Sequence, residues 1–310
     1  MLFPVAGIEV APWIPPLVAF IISFFTSMGG VSGAFLLLPF QMSFLGYANP
    51  SVSATNQLFN IVAIPSGIYR YIAEGRMVWP LAWIVVAGTL PGVFIGAIVR
   101  VAYLPDPRNF KLFASGVLLY VGLRLVRDLV KGNGTSGNRG VIEKRFQEMA
   151  RQQLSRAAAD AVQVVQFNWR RLSYRFYDEV FDVSTWGLFL LSFIVGIVGG
   201  IYGIGGGAII APFFVAFWGL PVYTVAGASL MGTFITSVAG VGFYQAMAPF
   251  FPNMSVAPDW MLGLLFGIGG MAGMYLGARC QKFVPAQWIK WMLAAIIVLT
   301  ALKYLADFLR

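Results

Sequence analysis

Residues Gly200–Phe213 read GIYGIGGGAIIAPF, and Ser27–Phe40 read SMGGVSGAFLLLPF. Both stretches place helix-breaking glycines ahead of a short apolar run that ends in Pro-Phe. They stand in a chain of 310 residues of which 59% are hydrophobic and 11% charged. No Asp, Glu, Lys or Arg occurs from Val10 through Tyr69, or from Val183 through Pro258. Each of these runs exceeds the roughly 20 apolar residues of a single spanning helix, so each holds more than one membrane element.

The segments that contain the glycines, Pro15–Leu45 and Trp186–Gly219, are too long for one ordinary span and too short for two. A helix broken near the glycines, or a re-entrant hairpin, fits that length. Lipid cannot satisfy the N–H and C=O groups that a break strands, so a break survives only where protein or a water-lined cavity covers it. Sliding the chain on itself aligns Leu17–Tyr71 with Leu190–Tyr244 without a gap, pairing Phe20 with Phe193, Gly30 with Gly203, Gly33 with Gly206, Pro39 with Pro212, Gly46 with Gly219 and Gly67 with Gly240. Coincident Gly and Pro carry weight because they punctuate the backbone. Interrupted segments at corresponding points of two halves point to a transporter's binding site. Glycines used only for tight helix contact are the alternative.

Outward from the breaks, spanning helices are expected near Ser51–Tyr69, Val78–Val99, Phe110–Leu125, Tyr223–Met247, Trp260–Ala278 and Trp288–Leu305. Trp13, Trp79, Trp186, Trp218, Trp260 and Trp288 lie near expected ends, where an indole sits among headgroups. Gly88, Gly92 and Gly96, and again Gly269, Gly273 and Gly277, form ladders of small residues that let helices approach closely. The first basic residue is Arg70, so no charged n-region marks a cleaved signal and the first apolar stretch is expected to stay. The fold expected is all-helical and polytopic. Two repeated halves, 1–127 and 183–310, each carry one interrupted element and three spans, and an insert, 128–182, separates them.

That insert opens with GNGTSGNRG, Gly132–Gly140, and continues with apolar residues mostly three or four apart: Ile142, Phe146, Met149, Leu154, Ala157, Ala161, Val165, Trp169, Leu172 and Phe176. The spacing predicts an amphipathic helix. From Arg124 to Arg175 eleven Lys or Arg face four Asp or Glu, most of the chain's net charge of +9. A basic amphipathic segment beside a spanning helix suits the anionic cytoplasmic leaflet and places the insert in the cytoplasm. A solvated hairpin or a subunit contact is the other reading. Counting charges with the halves inverted leaves Arg70, Arg76, Arg279 and Lys282 inside, and strands Arg100, Arg108, Lys111 and Arg310 outside.

Chemistry in the apolar blocks is confined to neutral groups. SVSATNQLFN, Ser51–Asn60, carries Asn56 and Asn60 on one helical face; the self-alignment pairs them with Ser229 and Thr233 of TVAGASLMGT, Thr224–Thr233. Beside the exposed N–H groups of broken-helix ends, these side chains make an uncharged cradle for an oxyanion. Polar contacts between helices are the competing use. Histidine is absent and Cys280 is alone, which removes the commonest general base and any Cys-based metal cluster. No carboxylate lies within the apolar blocks, and the GxxxxGK[ST] phosphate loop is missing. No enzyme activity, cofactor or nucleic-acid partner is implied; a homo-oligomer is left open.

At GGVSGAFLLLPF and GIGGGAIIAPF, each followed by a small-residue polar helix (SATNQLFN and AGASLMGT), the sequence resembles the TauE/SafE family of sulfite exporters, the toluene-sulfonate uptake permease group. The likeness spans nearly all of the chain except the insert, which is longer than the family's usual connection. The resemblance implies transport of small sulfur-containing anions such as sulfite, sulfonates or thiosulfate across the inner membrane. The expectation is a secondary transporter whose substrate sits among Gly30, Ser32, Gly33, Thr55, Asn56, Asn60, Gly203, Gly205, Gly206 and Ser229. A membrane scaffold or channel-like subunit, whose basic insert recruits a partner, is the second expectation.

Overall fold

A computed structural model of the chain describes residues 1–28, 32–73, 75, 77–130, 162–176, 179–280 and 286–309. A short hairpin, β1 (Leu2–Phe3) with β2 (Ile8–Glu9), precedes α1 (Ile14–Met28) and α2 (Ala34–Ser43). Four helices follow: α3 (Ser51–Ala63), α4 (Pro65–Ala73), α5 (Trp79–Ala102) and α6 (Pro107–Val130). Strands β3 (Val162–Phe167), β4 (Arg171–Phe176) and β5 (Glu179–Ser184) form an antiparallel sheet in that order. The chain then runs through α7 (Thr185–Tyr202), α8 (Ile210–Trp218), α9 (Val222–Met247), α10 (Trp260–Cys280) and α11 (Ala286–Leu309).

Among the described residues, four helices are long and apolar enough to cross a bilayer, over Trp79–Ala102, Thr185–Tyr202, Thr224–Phe250 and Trp260–Gly277. Apolar outer faces run along α1, a shorter apolar helix, and along α7. Leu17, Ile21 and Phe25 on α1, and Trp186, Leu190 and Ile194 on α7, are exposed one turn apart, an apolar stripe that water would not tolerate and lipid would.

The expected breaks are both present. Pro15–Leu45 is α1 and α2, and Trp186–Gly219 is α7 and α8, each pair separated by the glycine-containing stretch. Each glycine ladder receives the long arm of an interrupted element from elsewhere in the chain. On α5, a Cβ at Gly88 would meet the Phe189 carbonyl at 2.7 Å and one at Gly92 the Phe193 carbonyl at 2.5 Å, while Gly96 abuts Ile197. On α10, Gly269, Gly273 and Gly277 abut the carbonyls of Pro16, Phe20 and Phe24. Any side chain there would push apart backbones that rely on close packing, since lipid supplies no hydrophobic drive between helices. Phe20 and Phe24 are the positions that the self-alignment pairs with Phe193 and Ile197.

Three expectations need correction. Ser51–Tyr69 is not one span: α3 ends at Ala63 and α4 begins at Pro65, because proline has no N–H to continue the ladder. Ser66 Oγ instead donates to the Ala63 carbonyl at 3.0 Å. The aligned position in the second half is Val238, and α9 runs unbroken.

The second correction concerns the insert, which is not helical over residues 162–176, nor is the chain over 179–184, so the described protein is mostly rather than wholly helical. Val165, Leu172 and Phe176 lie on strands and Trp169 in the turn between β3 and β4. The strands are rich in Val, Phe and Tyr, and β4 buries the alternate residues Leu172, Tyr174 and Phe176, a period of two that spacings of three or four had masked. Asn168 Oδ1 fixes the turn by accepting from the amides of Arg170 (3.0 Å) and Arg171 (2.7 Å). The rest of the expected stripe, Ile142 to Ala161, lies outside the described residues, and α6 continues past Asp128 to Val130. The Tyr174 hydroxyl shares a 2.9 Å bond with Thr224 Oγ1, docking the sheet on the first turn of α9. Burial raises the pKa of that hydroxyl, with the Thr224 bond opposing in part.

Third, Arg100 is not a loop charge; its side chain is fully buried at the end of α5.

Candidate functional site

The two breaks are held together by α3. Asn56 Nδ2 donates to the Ala34 carbonyl, just after the first break, and to the Gly203 carbonyl at the second, both at 3.0 Å. One turn on, Asn60 Oδ1 accepts from Ser32 Oγ at 3.0 Å, while Asn60 Nδ2 donates to the Ile204 carbonyl at 2.9 Å and to Ser237 Oγ at 3.3 Å. Each asparagine therefore spans both interrupted elements. In this arrangement the amide donors already serve carbonyls at the breaks, of which those of Gly203 and Ile204 lie past the end of α7 without a helical partner, the demand that a low-dielectric interior imposes.

Backbone geometry explains why glycine is needed at the second break. Gly203 caps α7 in the left-handed region at φ 81°, returning its N–H to the Gly199 carbonyl at 2.9 Å, and Gly205 is also left-handed at φ 77°. Gly206 donates to Thr236 Oγ1 at 3.1 Å and is pressed on Thr89; Gly207 lies on the Ser229 carbonyl. Residues 205–209 are buried. They precede α8, whose N-terminal end carries the positive end of its dipole.

At the first break Gly33 turns the chain back on α1, where an added Cβ would lie 2.9 Å from Ser23 Oγ. Ser32 and Gly33 are buried. Gly30 lies outside the described residues.

Buried polar atoms without a partner collect around these breaks. Ser229 Oγ, Ser23 Oγ, Gln41 Oε1 and both amide atoms of Gln57 make no hydrogen bond within the described chain. Gln41 reaches the cluster through Nε2, which donates to Asn56 Oδ1 at 3.4 Å. Gln57 lies against Gly240, in the same way that Leu230, its aligned counterpart, lies against Gly67 at 3.2 Å. A glutamine in that leucine-like place has no local partner. Neither Gln41, Gln57, Ser23, Thr236 nor Ser237 was among the expected site residues; a polar side chain inside a charge-free run was the available signal.

Thr55 belongs elsewhere. Its hydroxyl bonds Tyr47 OH at 2.8 Å and accepts from the Asp259 amide at 2.9 Å, beneath the N-terminal hairpin whose Ala6 amide donates to Asp259 Oδ2 at 3.3 Å. One residue along a helix turns a side chain by about 100°, so Thr55 faces this layer while Asn56 faces the breaks. Of the expected residues, then, Ser32, Gly33, Asn56, Asn60, Gly203, Gly205, Gly206 and Ser229 gather at or beside the breaks. The arrangement offers neutral hydroxyls, amides and backbone N–H groups, a set suited to holding an oxyanion by oriented dipoles.

Apolar spans, broken helices and a buried polar centre between them define a multi-pass helical membrane protein of transporter type. The chain belongs to the sulfite exporter TauE/SafE family, whose model matches residues 16–304. It is also similar to the probable membrane transporter protein YdhB of Bacillus subtilis (strain 168), 26% identical over 118 residues, which cover 38% of this chain and 45% of that relative. No solved structure matches the chain.

Proposed function

We propose that the protein is a secondary transporter that moves a small sulfur-containing anion, sulfite or an organosulfonate, across the inner membrane, held between the two breaks. The observation that carries this reading is the set of buried, unpartnered polar atoms at and near the breaks: Ser229 Oγ, Ser23 Oγ, Gln41 Oε1 and, one residue on from Asn56, the Gln57 amide. Buried polar groups are otherwise almost always satisfied, so a cluster of them calls for a guest. An oxyanion supplies acceptor oxygens to the two hydroxyls, to Gln57 Nε2 and to the N-terminal end of α8. Ser32, Gly33, Asn56, Asn60, Gly203, Gly205, Gly206 and Ser229 form the wall, and Gly30 adjoins them in sequence. Access alternates as Asn56 and Asn60 release carbonyls of one interrupted element and re-engage them.

The two membrane halves, 1–127 and 183–310, act as inverted repeats on this reading. The mutual docking of α1 on the α10 ladder and of α7 on the α5 ladder supports it. So does the burial of Arg100, which leaves one fewer charge on the outer side of the inverted topology, and the engagement of Arg108 with the Phe308 carbonyl at 2.8 Å.

Reconstituted vesicles test the transport reading. Radiolabelled sulfite uptake should saturate with concentration and be reduced by excess unlabelled sulfonate. Vesicles that move no tested sulfur anion faster than protein-free ones would rule it out.

The insert, 128–182, lies on the cytoplasmic leaflet in this scheme. Trp169 at the hairpin tip is 80% exposed, and its ring stands 6.4 Å from that of Trp186, which opens the lipid-facing stripe of α7. With Arg170 beside it, the tip suits the headgroup layer. A nitroxide on Trp169→Cys, with Cys280→Ala removing the native thiol, should show the oxygen accessibility of headgroup depth. Accessibility equal to that of bulk water would detach the tip from the membrane.

A further inference from the structure

Arg100 is fully buried in the last turn of α5. Its guanidinium donates to the Leu104 carbonyl and, through Nη2, to the Ala48 carbonyl at 3.2 Å, and it stacks over the Phe110 ring at 3.8 Å. Nε has no partner. Among the described residues no carboxylate pairs with it; the titratable groups that face it are the phenols of Tyr47 and Tyr244. Carbonyl dipoles and a ring face moderate a buried charge without cancelling it, and an uncompensated guanidinium is among the most expensive groups a protein can bury.

A polar path leads from this charge to the second break. Tyr244 OH donates to the Gly200 carbonyl at 3.4 Å and lies beside Ser53. Ser53 Oγ donates to the Ile201 carbonyl at 3.4 Å, and the Ser53 backbone is the surface on which Gly203 rests. From Gly203 the next polar group is Asn56.

We propose that Arg100 is a binding residue for the transported anion, the countercharge that the neutral groups at the breaks do not provide. The inference rests on the transport reading above and names the chemistry it recognises: a small oxyanion whose head presents two oxygens to a planar guanidinium fork. Phe110, Tyr47 and Tyr244 exclude water around the fork, which strengthens its attraction for an anion arriving from the breaks. The sequence places Arg100 at a helix end like any boundary arginine; its burial without a carboxylate is what distinguishes it.

Arg100→Gln and Arg100→Lys separate binding from packing, with sulfite as the probe. In vesicles, Arg100→Gln should raise the KM for sulfite by about tenfold or more, the change expected when a charge-assisted contact is lost. Sulfite should raise the melting temperature of the purified wild type and not that of Arg100→Gln. Arg100→Lys keeps the charge without the fork and should lie between the two; it also serves if Arg100→Gln does not fold. A wild type that transports sulfite, alongside variants with unchanged KM and an unchanged sulfite-induced shift, would show that Arg100 only caps carbonyls. A wild type that neither transports nor responds to sulfite removes the transport reading, and this inference with it.

Discussion

Vesicles carrying Asn56→Leu are expected to show no saturable sulfite uptake, and the purified protein to melt well below the wild type. Leucine keeps the number and branching of heavy atoms, though its methyl groups are bulkier than the amide and would press on carbonyls that stand 3.0 Å from Asn56 Nδ2. What changes is that the carbonyls of Ala34 and Gly203 lose their common donor and Gln41 Nε2 loses its acceptor. A buried group left unsatisfied costs about 1–3 kcal/mol, and the Ala34 carbonyl keeps its place in the α2 ladder, so the Gly203 carbonyl and Gln41 Nε2 together put the loss at roughly 2 kcal/mol or more. The two interrupted elements would also lose a link that joins them. Asn56→Asp should fail as completely for a different reason, since a carboxylate would face two carbonyl oxygens and repel an anionic substrate. Uptake by Asn56→Leu at the wild-type KM would remove Asn56 from the binding wall.

Gly203→Ala should have an effect of similar size, through the backbone. The residue is left-handed at φ 81°, a region that costs an L-residue roughly 1–2 kcal/mol. Its new Cβ would also lie 2.5 Å from Ser53 Cα, so α3 and α7 would have to separate. Overpacking of that kind costs about 1–3 kcal/mol more. Because Ser53 and Asn56 share that helix, the displacement also shifts the Asn56–Gly203 bond. The expected result is a protein that inserts but melts early and transports slowly in a side-by-side comparison with Gly116→Ala, where the added Cβ meets nothing within 4 Å. Equal melting temperatures for the two variants would show that the turn at Gly203 is not under steric control.

Much of this was legible along the chain, and the exceptions are informative. The paired breaks could be read because Gly and Pro act on their own backbone whatever surrounds them. Pro65 gives the same kind of signal at the end of α3, inside an otherwise apolar span. The insert reads as a helix because apolar residues such as Val165, Trp169, Leu172 and Phe176 satisfy a helical period by spacing alone, whereas alternation along β4 reveals the strand. Thr55 and Asn56 are neighbours in a polar run, and nothing in the run says that one meets Tyr47 and Asp259 while the other meets both breaks.

The sequence by itself determined that this protein lives in a membrane, that two of its segments are interrupted, and that neutral rather than acidic groups stand near the interruptions. These follow from transfer free energies and local backbone limits, which belong to residues one at a time. Only the tertiary structure decided which polar atoms are satisfied and which are not: Asn56 and Asn60 tied to carbonyls beyond residue 200, Gln57 and Ser229 left bare, Arg100 sealed in without a carboxylate. Hydrogen-bond satisfaction and charge compensation are properties of pairs, and in a chain folded this way the partners come from opposite ends of the sequence.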